Sequence, residues 1–232
     1  MHYEKQLRIS ALATIKALIS DKIIQRQDLL QFTKEVDADI YEPEYVRAEM
    51  EAWFLGLGIE HITDKAFSLQ TPHFTKEEIK QAYEQDELIF CVPKGVRAKV
   101  LGKMFNWNSW AFDDPLVGGF PEVEDFWFAS KKTEVPENRD MQGREIKAVY
   151  QREGKLGMNI ERYLVFLARM RYLTGEIYDK RYKVWLVNNS YEEKAMLIAG
   201  VDSKNKFSVH AWMPNFNTPF VGGRHIRIPE HI

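Results

Sequence analysis

The chain reads as an α+β protein, with a helical module over residues 1–85 and, over 86–232, a mixed α/β half in which an antiparallel sheet packs on a helix. Three observations predict this. Apolar residues recur at helical spacing through the first 85 residues. The pattern then changes at Glu87 to short apolar runs bounded by turn residues. The last third carries one long amphipathic stretch followed by three alternating runs. With 45% apolar and 13% aromatic residues in 232, there is material for one large core or two modest ones.

Within the first module, Leu12, Ile15 and Ile19 mark the face of one helix and Leu29, Phe32 and Val36 that of a second. A third starts at Pro43, carries Val46, Met50, Trp53, Phe54 and Leu57 at helical spacing, and meets its stop signals at Gly56 and Gly58. Thr75 followed by Glu78 is a capping-box signature for a fourth. Short helices followed by IEHITDKAFSL, read as a hairpin, outline a winged helix-turn-helix. They raise the reading of a small regulatory DNA-binding protein acting through residues 1–70. The charges disfavour a nucleic-acid partner: Glu42, Glu44, Glu49 and Glu51 surround Arg47 on the would-be recognition helix, and phosphates would repel that face.

From Glu87 onward, LIFCV reads as a buried strand ended by Pro93, and FNWNSWAF and VEDFWFAS are aromatic segments around the turn-rich DDPLVGGFPE. The polar run KKTEVPENRDMQGRE, residues 131–145, reads as a linker or exposed loop. Next, MNIERYLVFLARMRYLTG predicts a helix with Ile160, Leu164, Leu167 and Met170 on one face and Gly175 as its stop. YKVWLVN, KAMLIAGV and KFSVHAWM predict strands. FDDPLVGGFPE and FNTPFVGGRHIRIPE share Phe-x-x-Pro-x-Val-Gly-Gly, which glycine-bearing turns explain without a duplication.

Charge is balanced, 32 basic against 34 acidic residues, so no global basic field favours nucleic acid or an anionic membrane. No run has the roughly 18 to 20 apolar residues of a membrane span, because YLVFLARMRYL is interrupted by arginines. The opening MHYEKQLRIS lacks the pattern of a secretory signal, and Cys91 is the single cysteine. The expectation is a cytoplasmic protein with a protein or peptide partner and no cofactor. His225, Glu230 and His231 cluster near the C-terminal end of the sequence, but no regular element fixes them as metal ligands.

The functional candidates are His210 on an alternating strand, Cys91, Asn217, and the tryptophans Trp107, Trp110 and Trp212. Trp107 and Trp110 are expected to be partly exposed, lining a groove for a peptide or a sugar. Helix, LIAGV, turn, FSVHAW and PFVGG together resemble the C-terminal transglutaminase-like module of lasso-peptide leader peptidases, over residues 156–232. That resemblance implies a cysteine opening the helix, a histidine on the facing strand and an acidic residue beyond it as the third member, and no aspartate follows His210. His210 takes the second role, Asn217 is the tolerable third, and Asn159 stands where the cysteine belongs. A carboxamide is not a nucleophile, so the resemblance points to a non-catalytic, peptide-binding relative. The alternative is a papain-like or transglutaminase-like enzyme of amide chemistry that uses Cys91 with His210.

Overall fold

The computed structural model describes residues 40–114, 117, 121–191, 195–202 and 204–230. The first two predicted helices lie outside the described residues, as does most of the first Pro-x-Val-Gly-Gly segment. Residues 1–40 and 41–232 form two units, and every described element belongs to the second.

Its elements run α1 (Pro43–Gly56), α2 (Ile59–Thr63), α3 (Lys76–Glu84), β1 (Glu87–Val92), α4 (Ala98–Phe105), a 3-10 turn (Trp110–Phe112), β2 (Phe126–Lys131), α5 (Gly143–Arg152), β3 (Leu156–Gly157), α6 (Ile160–Thr174), β4 (Lys183–Tyr191), β5 (Ala195–Val201), β6 (Phe207–Trp212), β7 (Val221–Gly222) and β8 (His225–Ile226). Helices and antiparallel sheets packed on them make the chain α+β.

Local chemistry explains the helix ends. Pro43 sits in the first turn of α1, where its missing N–H costs nothing. Thr75 and Glu78 form the predicted capping box, with the Thr75 N–H donating to Glu78 Oε2 at 2.6 Å. At α6, Asn159 Oδ1 accepts the Arg162 N–H at 2.8 Å while Asn189 Oδ1 accepts that of Ile160 at 2.9 Å. Gly175 ends the helix at φ 76°, a left-handed conformation that glycine adopts without strain.

Helix α6 is the centre of the core of the unit 41–232. Tyr163, Leu164, Val165 and Phe166 are fully buried, and each such side chain contributes roughly 1.5–3 kcal/mol through loss of exposed apolar area. On one side Phe166 meets Phe90 of the antiparallel pair β1–β2, and on the other Tyr163 meets Phe207 of β6. The helices α1 to α4 complete the β1–β2 side, and Val46, Phe54, Ile79 and Leu101 belong to the same core as Phe166. The expected boundary at 85/86 is therefore absent from the packing of the described residues: 41–85 share a core with the strands and helices after them.

The larger sheet has the order β6-β5-β4-β7, antiparallel except for the parallel β4–β7 pair. Alternation gives it two faces. Val184, Leu186, Leu197, Ala199, Phe207 and Val209 pack toward the α6 core, whereas Trp185, Val187, Met196 and Ile198 pack with Ile146 and Tyr150 of α5.

Three segments differ from their sequence reading. IEHITDKAFSL contains α2 rather than a hairpin. Its turn is set by Gly58 at φ 76°, and the Thr63 hydroxyl donates back to Ile59 O. The aromatic stretch from Phe105 ends α4 and forms a 3-10 turn capped by Ser109. The polar run 131–145 is tied to the body: Glu137 and Gly223 form a β-bridge, Arg224 holds Thr133, and α5 begins at Gly143. A Cβ at Gly143 would lie 2.9 Å from the Trp185 ring, so glycine lets α5 close on the sheet.

Buried charge is organised around Arg224. Its guanidinium binds both Asp179 oxygens, at 2.8 and 2.7 Å, and donates to Thr133 O; Asp179 also accepts the Tyr163 hydroxyl. Bidentate geometry with every neighbour hydrogen-bonded is what makes a charge pair tolerable away from water.

Candidate functional site

Cys91 lies inside β1 opposite Trp127 and is fully buried. Burial pushes its thiol well above the ordinary value, and the carboxylates Asp125 and Glu122 push it the same way. A thiol in that setting stays protonated and packs as a small apolar group.

His210 is on β6, in the other sheet, paired with Ile198. Paired residues share a face, so His210 lies on the α5 side, whereas α6, with Asn159 at its cap, covers the opposite one. No hydrogen bond joins Cys91, His210, Asn159 or Asn217 to one another among the described residues. Asn159 Oδ1 is committed to the helix cap, and Asn217 Nδ2 donates to Asp140 O at 3.4 Å. The residues proposed as catalytic are thus not brought together as a thiol–imidazole pair.

The tryptophans divide. Trp107 is 6% exposed and stacks on Phe207, so its expected exposure is corrected: it is a core residue, drawn in by the turn after α4. Trp110 is 48% exposed, and its indole N–H donates to Val209 O at 2.9 Å. Trp212 is half-buried, with edge-on contacts to Trp185 and Phe216.

These contacts define a surface. Among the described residues β6 is an end strand of its sheet, and Val209 O points outward to meet Trp110. Because antiparallel residues alternate in direction, the N–H and C=O of Ala211 point outward as well. The Trp110 turn covers the first half of the edge, and the half from His210 to Trp212 is exposed to partly exposed. Beyond it, the segment 213–220 is pinned against the start of α5 by the Arg144 N–H on Pro214 O. It carries Met213, Phe216 and Phe220 at 59, 49 and 63% exposure.

A polar group that the sequence reading missed lies beside this edge. Lys183 of β4 crosses β5 over Gly200 and donates from Nζ to Ser208 Oγ at 2.6 Å. A Cβ at Gly200 would stand 3.2 Å from Lys183 Cγ and 2.6 Å from Tyr182 O, so only glycine leaves that path open. Burial lowers the Lys183 ammonium from its usual range, and the imidazole of His210 is lowered by burial and then by Lys183. The alternation of FSVHAW put Ser208, His210 and Trp212 on one face; the reach of Lys183 depends on register across three strands.

The remaining polar candidates have structural partners. His225 Nδ1 lies 2.7 Å from Glu137, whose carboxyl is held down at about 2 by that histidine and by Lys131. The Glu230 N–H donates to Glu78, and His231 is outside the described residues. No group of three or more metal-ligating side chains occurs among the described residues. On α1, Arg47 is engaged by Glu44 and Glu51. No helix among the described residues is long and apolar enough to cross a membrane.

The chain was compared with protein families, curated proteins and solved structures, and none of the three comparisons produced a match.

Proposed function

We propose that this protein is a peptide-recognition factor that takes an extended segment of its partner onto the open edge of β6, and that it is a non-catalytic relative of the transglutaminase-like peptidases. The observation that carries the first part is the half-open edge. Ala211 turns main-chain donors and acceptors outward beside exposed Met213, Phe216 and Phe220, which is the combination used when a peptide adds a strand to a sheet. Main-chain pairing supplies affinity there, and alternate side chains reach Trp212 on the α5 side. The second part is supported by the order of Asn159, α6, β4, β5 and β6. Asn159 serves as a helix cap at the position where such a peptidase carries its nucleophile.

Peptides selected for binding from a displayed library test the reading. Ala211→Pro removes one outward N–H without deleting a β5–β6 hydrogen bond. It is expected to abolish binding while leaving the thermal transition nearly in place. Binding indifferent to that substitution would remove the edge as the docking site. For the enzymatic alternative, a thiol-directed reagent is expected to label Cys91 only on unfolding. Rapid labelling of the native protein that depends on His210 would reinstate a catalytic cysteine.

A further inference from the structure

The cations of the described body are neutralised from within wherever they are buried or partly buried as arginines: Arg224 by Asp179, Arg162 by Glu122, Arg169 by Glu49 and Arg227 by Glu87. Lys183 is different. It is half-buried, and its one side-chain hydrogen bond is to a neutral hydroxyl, with no ion pair among the described residues. Asp202, the carboxylate whose charge it feels, is turned toward its own loop, accepting the N–H groups of Lys204 and Lys206. His210, two residues from Ser208 on the same face of β6, has an imidazole without a hydrogen-bond partner among the described residues.

The direction of the hydrogen bonds limits what this group can do. Lys183 donates to Ser208, and the Ser208 hydroxyl donates onward to Gly200 O at 3.4 Å. The serine is therefore a post that holds the ammonium in place, and the lysine is not acting on it as a base. What remains is a fixed cation with spare donors, next to an imidazole, at the margin of an open strand.

A peptide strand paired with the open half of β6, clear of the Trp110 turn, would place alternate side chains about 5 Å from His210 and Trp212 on that same face, with its end next to Ser208. We propose that Lys183, Ser208 and His210 form a carboxylate subsite, which accepts an acidic side chain or the terminal carboxylate of the extended peptide docked on β6. This rests on peptide docking at the β6 edge and adds the chemistry that selects the ligand. Lysine is suited to the role because its ammonium takes a carboxylate as a point charge from several directions, which suits a side chain and a chain terminus alike.

Four synthetic peptides test it by calorimetric titration of the full chain: acetyl-Thr-Val-Thr-Glu-Val-Thr-amide, its Gln counterpart, and acetyl-Thr-Val-Thr-Val-Thr as free acid and as amide. At least one carboxylate form is expected to bind tenfold or more tightly than its neutral twin, and the larger of the two ratios identifies the source. Lys183→Met is expected to erase that preference and Lys183→Arg to keep most of it, with both variants matching the parent in circular dichroism and thermal transition. The subsite is overturned if neutral and acidic forms bind equally, if Lys183→Met keeps the preference, or if none of the four binds. Equal binding that Ala211→Pro still blocks would overturn the subsite and leave the docking edge standing. Binding insensitive to Ala211→Pro would remove both.

Discussion

Arg224 and Lys183 are two cations taken out of full contact with water, and the protein treats them in opposite ways. Arg224 is fully enclosed and holds Asp179 bidentately; Lys183 is half-enclosed and holds a serine. Desolvating a charge costs several kcal/mol unless a partner compensates, so the first is a finished internal bond and the second an unfinished one. The Arg224–Asp179 pair lies in the interior, and the Lys183 cluster lies beside the exposed half of β6.

The largest effect should come from breaking the finished pair. Asp179→Ala leaves the Arg224 guanidinium enclosed without its carboxylate and is expected to cost about 3–5 kcal/mol in denaturant unfolding. Replacing both partners with apolar residues of similar volume should recover most of that loss, because no enclosed charge remains. A loss below about 1 kcal/mol from Asp179→Ala would erase the contrast with Lys183.

Glu161 extends the contrast to the acidic side. It is buried at the start of α6 with Oε1 unpartnered, and burial raises its carboxyl from 4.5 to about 7. Between those values the folded state keeps a proton that the unfolded state has released. Stability should therefore fall as pH rises through that window and level off above it. Glu161→Gln removes the titrating group, so it should flatten this slope and exceed the parent in stability at pH 8 by about 1–3 kcal/mol. Paired unfolding curves at pH 4.5 and 8 check it; a parent whose stability rises across this range relative to the variant contradicts the sign.

Capping is a smaller term. Asn159→Ala removes the acceptor for the Arg162 N–H and is expected to cost about 1 kcal/mol, measured by thermal or denaturant unfolding. Smallest of all should be Lys183→Met, at less than about 1 kcal/mol, since an unneutralised, half-exposed lysine adds little to the fold. A large loss there would make Lys183 a structural residue and remove its contrast with Arg224.

Much of the architecture could be read from periodicity, because the elements that make the core carry it openly. Pro43 and Val46 through Phe54 announce α1, the Thr75–Glu78 box announces α3, and LIFCV, MLIAGV and FSVHAW announce their strands. Helices α4 and α5 were not read as helices, and a glycine on the buried face of each is the physical reason. In α4, Gly102 interrupts the helical signal because a Cβ there would come within 2.5 Å of Phe112. In α5, Ile146 and Tyr150 are the fully buried apolar anchors of an otherwise polar sequence that begins with a glycine shaped to Trp185. Both keep their buried residues at helical spacing, Ala98 and Leu101 in α4 and Ile146 and Tyr150 in α5, but each sets a glycine on the buried face where an apolar side chain would have completed the signal. In the site, Ser208 and His210 share a face by simple alternation, while Lys183 joins them only because β4, β5 and β6 align and Gly200 leaves the way clear.

The segment Arg224–Glu230 comes after every other described element in chain order and touches several of them. Gly157 pairs with His225, Ala129 with Arg227, Glu87 receives the Arg227 guanidinium, Asp179 that of Arg224, and Glu78 the Glu230 N–H. On a chain emerging from the ribosome, β1, β2, α3 and α6 are made well before the residues that fasten them. A strand pair and a helix with open polar ends must therefore wait through much of synthesis. A nascent chain held with Arg224–Glu230 still inside the ribosomal tunnel should be collapsed and protease-sensitive, and extending it by a linker until Glu230 clears the tunnel should let it close.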